Sequence, residues 1–320
     1  MVTRPADSRS PAVFCSDASR ASDEPLAGTA PHAEVWLLLE YHSRWGEKAF
    51  EQSALPPAVK AHLAAGAAAL SPARIQLIRQ PAAPTAPQRR FFVAVTRAAH
   101  CQVHEFHIDD YNDLLALDIQ AVAAGDAVSA PFTRQEPLFL ICVNGKRDRC
   151  CARRGLPVYQ AMARVWGAQA GAGDAVWQTT HIGGHRFAGV GLCFPGGVCY
   201  GRLGAEDAKR VVHAAREGRI VLDRFRGFTS YDGATQAADG LLRAQLGVDA
   251  LDALRWLATE HTGEDVWSAR FAAVDGVVHR VQVAKVRTGV PLHMSCADPE
   301  PSEMMTYRLL AHEVLRAAAP

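Results

Sequence analysis

"PLFLICVNGKRDRCCARRG", residues 137–155, runs from an uncharged apolar stretch into a segment holding three cysteines and five cations. Its apolar part, Pro137–Val143, is too short for a buried helix and reads as a buried strand. A helix is expected over about Pro157–Ala168, so the cysteines fall on the connection between strand and helix. Further on, "DAVWQTT" (174–180) reads as a second strand. "RFAGVGLCF" (186–194) and "GVCYGRL" (197–203) form a hairpin about Pro195-Gly196-Gly197, and a helix spans Ala205–Glu217. The element order is β-α-β-β-β-α.

The preceding hundred residues read the same way. "AEVWLLLEY" (33–41) is a strand and Pro57–Leu70 an alanine-rich helix with proline in its first turn. "RIQLIR" (74–79), "RFFVAVT" (90–96) and "CQVHEFHI" (101–108) are strands, and Asn112–Ala124 is a helix. The fold class is therefore α/β: two tandem thioredoxin-like units, β-α-β-β-β-α, followed by a small α+β C-terminal domain. Residues 1–30 are expected to form a disordered tail, 31–133 a first unit without ligands, 134–222 the unit carrying the cysteines, and 223–320 the appendage. In that appendage helices are expected over Thr235–Leu246 and Leu251–Glu260, and strands over Val266–Val274, Val277–Val286 and Pro291–Cys296. Where the second unit has its cysteines, the first has "HSRWGEKAF" (42–50) and no thiol.

The composition is that of an ordinary globular protein, with 49% hydrophobic and 21% charged residues. The net charge of +1 gives no global attraction to nucleic acid or acidic membranes, and neither is an expected partner. No apolar run approaches a membrane span, and the N-terminal residues lack a signal-peptide core, so a cytoplasmic location is expected. In that compartment eight cysteines point to ligands or catalysis before disulfides.

The next strand after the cysteines ends in "HIGGHRF" (181–187), where Gly183-Gly184 turn the two histidines into a loop. In a parallel pair both loops leave the same end of the sheet, the end that ligands favour. The Cys142/Cys150 and His181/His185 pairs can converge there as four ligands, enough for one tetrahedral ion or one cluster. Seven residues between the cysteines exceed zinc-finger spacing, and ligands sorted by loop differ from the Rieske arrangement.

"CVNGKRDRCCARRG", "VWQTTHIGGHRFAG" and "GVCYGRL", with "WLLLEYHSRWGEKAF", resemble the sucrase/ferredoxin-like family, relatives of the thioredoxin-like ferredoxins. The resemblance implies a [2Fe–2S] cluster held by Cys142, Cys150, His181 and His185, with the adjacent Cys151 as the alternative to Cys150. It implies an electron carrier rather than a substrate-transforming enzyme. Two ferric ions, two sulfides, two thiolates and two neutral imidazoles sum to zero charge, so a high potential and proton-coupled one-electron transfer are expected. Lys146, Arg147, Arg149, Arg153 and Arg154 would favour the reduced state or dock an acidic partner; the donor and acceptor proteins themselves are unknown. The other readings are a thiol–disulfide oxidoreductase using Cys142, Cys150 and Cys151, and a zinc-stabilised binding module. Against the first stand the absence of C-x-x-C and the strain of a vicinal disulfide.

Overall fold

The strand β1 (Val35–Glu40) is buried at every position. Its alternate residues feed two different cores: Val35, Leu37 and Leu39 pack with α2 (Pro57–Ala69) and α3 (Ile119–Ala124), while Trp36 and Leu38 face the other way. A strand covered on both faces has no polar side to alternate with, which is why its sequence is continuously apolar. In the same way β5 (Leu138–Cys142) sends Phe139 and Ile141 toward α4 (Arg149–Gly167) and α5 (Ala208–Arg216). Its Leu138, Leu140 and Cys142 join the core that contains Trp36 and Leu38. The computed structural model, which describes residues 14–81, 88–97, 100–168 and 174–315, is a mixed α/β protein built on that shared inner core.

Nine strands form the large sheet. The first half contributes β1, β2 (Ala73–Arg79), β3 (Arg89–Arg97) and β4 (His100–Ile108); the second contributes β5, β6 (Val176–Thr179), β7 (Gly191–Phe194) and β8 (Val198–Tyr200). Their order is β4-β3-β1-β2-β6-β5-β7-β8, with β9 (Phe225–Phe228) at the β8 edge. In each half the first strand pairs parallel with the second and antiparallel with the third. The halves meet where β2 and β6 run antiparallel, Ile78 opposite Thr179 and Arg79 opposite Gln178. The sheet curls until its inner faces touch, Trp36 lying edge-on to Phe194 at 5.9 Å.

Beyond it, α6 (Gly233–Leu246) lays Ala234, Ala238 and Leu242 against a separate sheet, β10 (Leu254–Gly263), β11 (Val266–Ala273), β12 (Val278–Leu292) and β13 (Ser302–Leu315).

Several expectations are corrected. Residues 14–30 are not a disordered tail: α1 (Cys15–Ala21) packs with Cys15 fully buried, because its small residues fit against the start of α4 and the histidine loop. Residues 1–13 lie outside the described residues. The expected helix Leu251–Glu260 is instead mostly β10; its tryptophan and threonines suit a strand, and β11 supplies the pairing partner. Strand β12 ends at Leu292, so Pro291–Cys296 is mainly loop, and β13 was not anticipated. The helix expected over Asn112–Ala124 breaks into a 3₁₀ turn (Tyr111–Ala116) and α3, because Asp118 caps a new helix through its side chain. The division at 222/223 falls just ahead of β9, which pairs with β8.

Candidate metal centre

Helix α4 starts eight residues earlier than its apolar periodicity indicates. Asp148 is its N-cap: an extended backbone (φ −157°, ψ 135°) lets the carboxylate accept the Cys150 N–H at 2.8 Å. Cys150 and Cys151 are thus on the first helical turn and not on a loop. Consecutive helical residues point about 100° apart, so the two sulfurs take different directions.

Cys151 points inward. Its Sγ lies 3.8 Å from His181 Nδ1, and the ligand atoms of Cys142, Cys151 and His181 are all within 4.8 Å of one another. Cys150 points away, its Sγ 3.6 Å from Cys15 Sγ and 3.2 Å from Cys296 Sγ. The expected set of Cys142, Cys150, His181 and His185 is therefore not the one that the geometry assembles. Cys151 occupies the place given to Cys150.

Cys142 is the last residue of β5, its N–H donating to the Val190 carbonyl at 3.0 Å. The strand end and α4 approach closely because residue 155 is glycine; a Cβ there would meet the Cys142 carbonyl oxygen at 2.0 Å. Hydrogen bonding with Cys151 draws the Cys142 thiol well below its ordinary range, against the opposing effect of burial and with help from His181. The same contact, with burial, pushes the Cys151 thiol up. The two shifts run in opposite directions because the thiols share one contact, beside a helix N-terminus that favours thiolate.

His181 follows β6, and its carbonyl accepts from Gln76 Nε2 at 3.4 Å. Gly183 (φ 126°) and Gly184 (φ 72°) then reverse the chain through backbone conformations that side chains avoid. The reversal stacks His185 on His181, ring centroids 4.8 Å apart and planes 27° apart. His185 Nδ1 is buried without a hydrogen-bond partner among the described residues. Burial lowers the His185 pKa, opposed by the Asp148 charge and assisted by His181, so the ring is neutral at physiological pH. Neutral imidazole with a free buried nitrogen is the ligand form.

An arginine cradle, not anticipated from the sequence, supports this loop. Arg226 of β9 is buried and donates to the Gly183 carbonyl at 3.1 Å, to Thr29 and to Cys199 Sγ. Its guanidinium lies over the Phe187 ring, as do those of Arg186 and Arg202. Arg186 is paired with buried Glu24 at 2.9 Å. The cations of the cysteine segment are partly neutralised within the chain: Arg147 by Glu47, Arg153 and Arg154 by Asp17. Lys146 and Arg149 stay exposed. His181 borders a groove of about 730 Å³ that the first half lines with Glu47, Lys48 and Arg74. Trp177 is core, edge-on to Phe92.

No helix among the described residues is long and apolar enough to cross a membrane. No solved structure matches the chain. The altered inheritance of mitochondria protein 32 of Meyerozyma guilliermondii is 32% identical over 100 residues, 30% of this chain and 36% of that protein. The match thus spans about a third of that relative's length. The sucrase/ferredoxin-like pattern matches residues 26–227, which hold nearly all of the curled sheet together with the cysteine segment and the histidine loop. That is more than half of the chain, which therefore belongs to the sucrase/ferredoxin-like family.

Proposed function

We propose that this protein is a one-electron carrier whose [2Fe–2S] cluster is held by Cys142, Cys151, His181 and His185. The observation carrying the reading is the meeting of two buried thiols and His181 beside His185, whose buried Nδ1 has no partner among the described residues. Two sulfur and two imidazole donors fit such a cluster, which supplies one-electron redox chemistry when bound. The two halves of the large sheet are tandem thioredoxin-like units, supported by their matching strand pairings; only the second holds ligands.

The chain's own residues do the rest. Cys142 and Cys151 would bind as thiolates and supply negative charge. The histidines bind as neutral rings and keep a remote N–H that can release or recover a proton as the charge at the centre changes. Arg226 adds a fixed positive charge beneath the loop, which favours the reduced state. Gly183 and Gly184 place no side chain over the backbone of the histidine loop. The groove beside His181, lined also by Lys48, Arg74 and Arg147, is the docking face for donor and acceptor proteins.

Aerobically purified protein should be red-brown, contain two iron and two acid-labile sulfide per chain, and take up one electron. Reduction raises the affinity of the remote imidazole nitrogen for a proton, so the potential falls as pH rises, by up to about 59 mV per unit. A colourless protein with zinc at Cys142 and Cys151 would replace this reading with the zinc-stabilised module. A potential constant from about pH 6 to 10 would remove the histidines from the ligand set.

A further inference from the structure

The geometry points to a second metal centre: a single zinc ion held by Cys15, Cys150 and Cys296, with Asp148 as the fourth ligand. The three sulfurs form a nearly regular triangle, 3.6 Å from Cys15 to Cys150, 3.2 Å from Cys150 to Cys296 and 3.6 Å from Cys296 to Cys15. A tetrahedral ion with zinc–sulfur bonds of about 2.3 Å separates its thiolates by roughly 3.7 Å. A disulfide would bring two sulfurs to about 2.0 Å and leave the third aside. An iron–sulfur cluster spreads three cysteines over several irons. The near-equal triangle fits one ion.

Asp148 completes the set. Both carboxylate oxygens lie 3.9 Å from Cys15 Sγ, and the four ligand atoms are within 4.8 Å of one another. The carboxylate is already oriented by the N–H groups of Cys150 and Cys296, each at 2.8 Å, and by the Ser295 hydroxyl at 2.9 Å. Such outer hydrogen bonds fix a ligating carboxylate. Cys15, Cys150 and Asp148 are buried, so the site is closed in the manner of a structural zinc and not open for catalysis.

The ligands come from three separate parts of the chain: α1, the first turn of α4, and the loop between β12 and β13. Arg20 of α1 also donates to the Ala188 carbonyl just after the histidine loop. Zinc here ties the N-terminal helix and the C-terminal sheet to the helix that bears Cys151. It does not use the other centre's ligands, and the two can fail independently.

The test is a metal count on the full-length chain. Wild-type protein should hold one zinc in addition to iron. Cys142→Ser/Cys151→Ser should keep the zinc and lose the iron; Cys15→Ser and Cys296→Ser should lose the zinc and keep the visible spectrum. Zinc-free wild-type protein, zinc that leaves with Cys142 and Cys151, or a Cys150–Cys296 disulfide in the alkylated native chain would each overturn the proposal. Wild-type protein expressed with cobalt in place of zinc gives a reading even if Cys15→Ser is insoluble. Near-ultraviolet thiolate-to-cobalt absorption of three-sulfur intensity supports the site; absent or two-sulfur intensity refutes it.

Discussion

Cys150 and Cys151 share a peptide bond on the first turn of α4, yet their sulfurs serve different neighbourhoods. Cys151 meets Cys142 and His181, and Cys150 meets Cys15 and Cys296. One helical step of about 100° separates the two directions. The pair should therefore separate in mutagenesis. Cys151→Ser is expected to abolish iron incorporation, and Cys150→Ser to leave the iron and its absorption in place. Iron analysis of the two variants side by side decides the assignment; iron lost from Cys150→Ser alone would restore the sequence's first choice.

Gly155 should tolerate no side chain. The Cβ of Gly155→Ala would press on the Cys142 carbonyl oxygen, a backbone atom in a paired strand end that cannot swing aside. Overpacking of this kind costs about 1–3 kcal/mol, here with displacement of Cys142 from Cys151. Thermal denaturation should show a clearly lower midpoint, together with reduced iron content. An unchanged midpoint would mean that α4 and β5 are less tightly joined than described.

Arg226→Met should act on two readouts at once. It removes the donor to the Gly183 carbonyl and to Thr29, and an orphaned buried carbonyl costs roughly 1–3 kcal/mol. It also removes a buried positive charge near the histidines, so the potential should shift downward. Equilibrium denaturation and a redox titration of the same preparation measure both. A potential that rises or stays fixed would place the charge too far away to matter.

Asp148 predicts an acid limit for the metal-free protein. Burial alone would raise its pKa, but the N–H groups of Cys296 and Cys150 and the Ser295 hydroxyl hold its carboxyl below the usual range. A carboxylate with a depressed folded pKa stabilises fully above its unfolded value of about 3.9 and loses that contribution as pH falls through the folded value. Asp148→Asn keeps a capping oxygen but turns three charge-assisted hydrogen bonds into neutral ones, so it should be less stable at neutral pH by about 1 kcal/mol or more and should lack that part of the acid transition. Denaturant midpoints from pH 7 down to pH 3 test it. Parallel curves for both proteins would contradict the assignment.

Eight of the nine strands of the large sheet were legible because each is short, apolar and bounded by turn residues, with bounds agreeing to within a few residues through β6; β9, Phe225–Phe228, was missed because its FRGF has only two apolar side chains. The histidine loop was legible through Gly183-Gly184, whose positive φ values match a tight reversal. The start of α4 was not. Its first two turns, Arg149–Leu156, are dominated by charge and cysteine, and the signal lay in one capping residue, Asp148. Without that capped first turn, the choice between Cys150 and Cys151 had no geometric basis. Cys15 and Cys296 carried no local pattern, since their partnership depends on segments that only tertiary packing brings together. Arg226 was hidden for the same reason: a buried arginine in a short edge strand looks, in sequence, like any surface cation.

The triangle joining Cys15 to Cys296 spans 281 residues of chain. A ribosome adding roughly 5–20 residues per second needs on the order of 15–60 s to travel that distance. For the last 146 of those residues Cys15 and Cys150 have both been made while their third partner has not. The nascent chain therefore carries two thiols still lacking their third partner while β6 to β9 of the large sheet are made, and closes the triangle only when the loop between β12 and β13 arrives. Completion of the sulfur triangle thus reports that synthesis has passed residue 296, and a polypeptide halted before it could fold its sheet without ever closing the triangle.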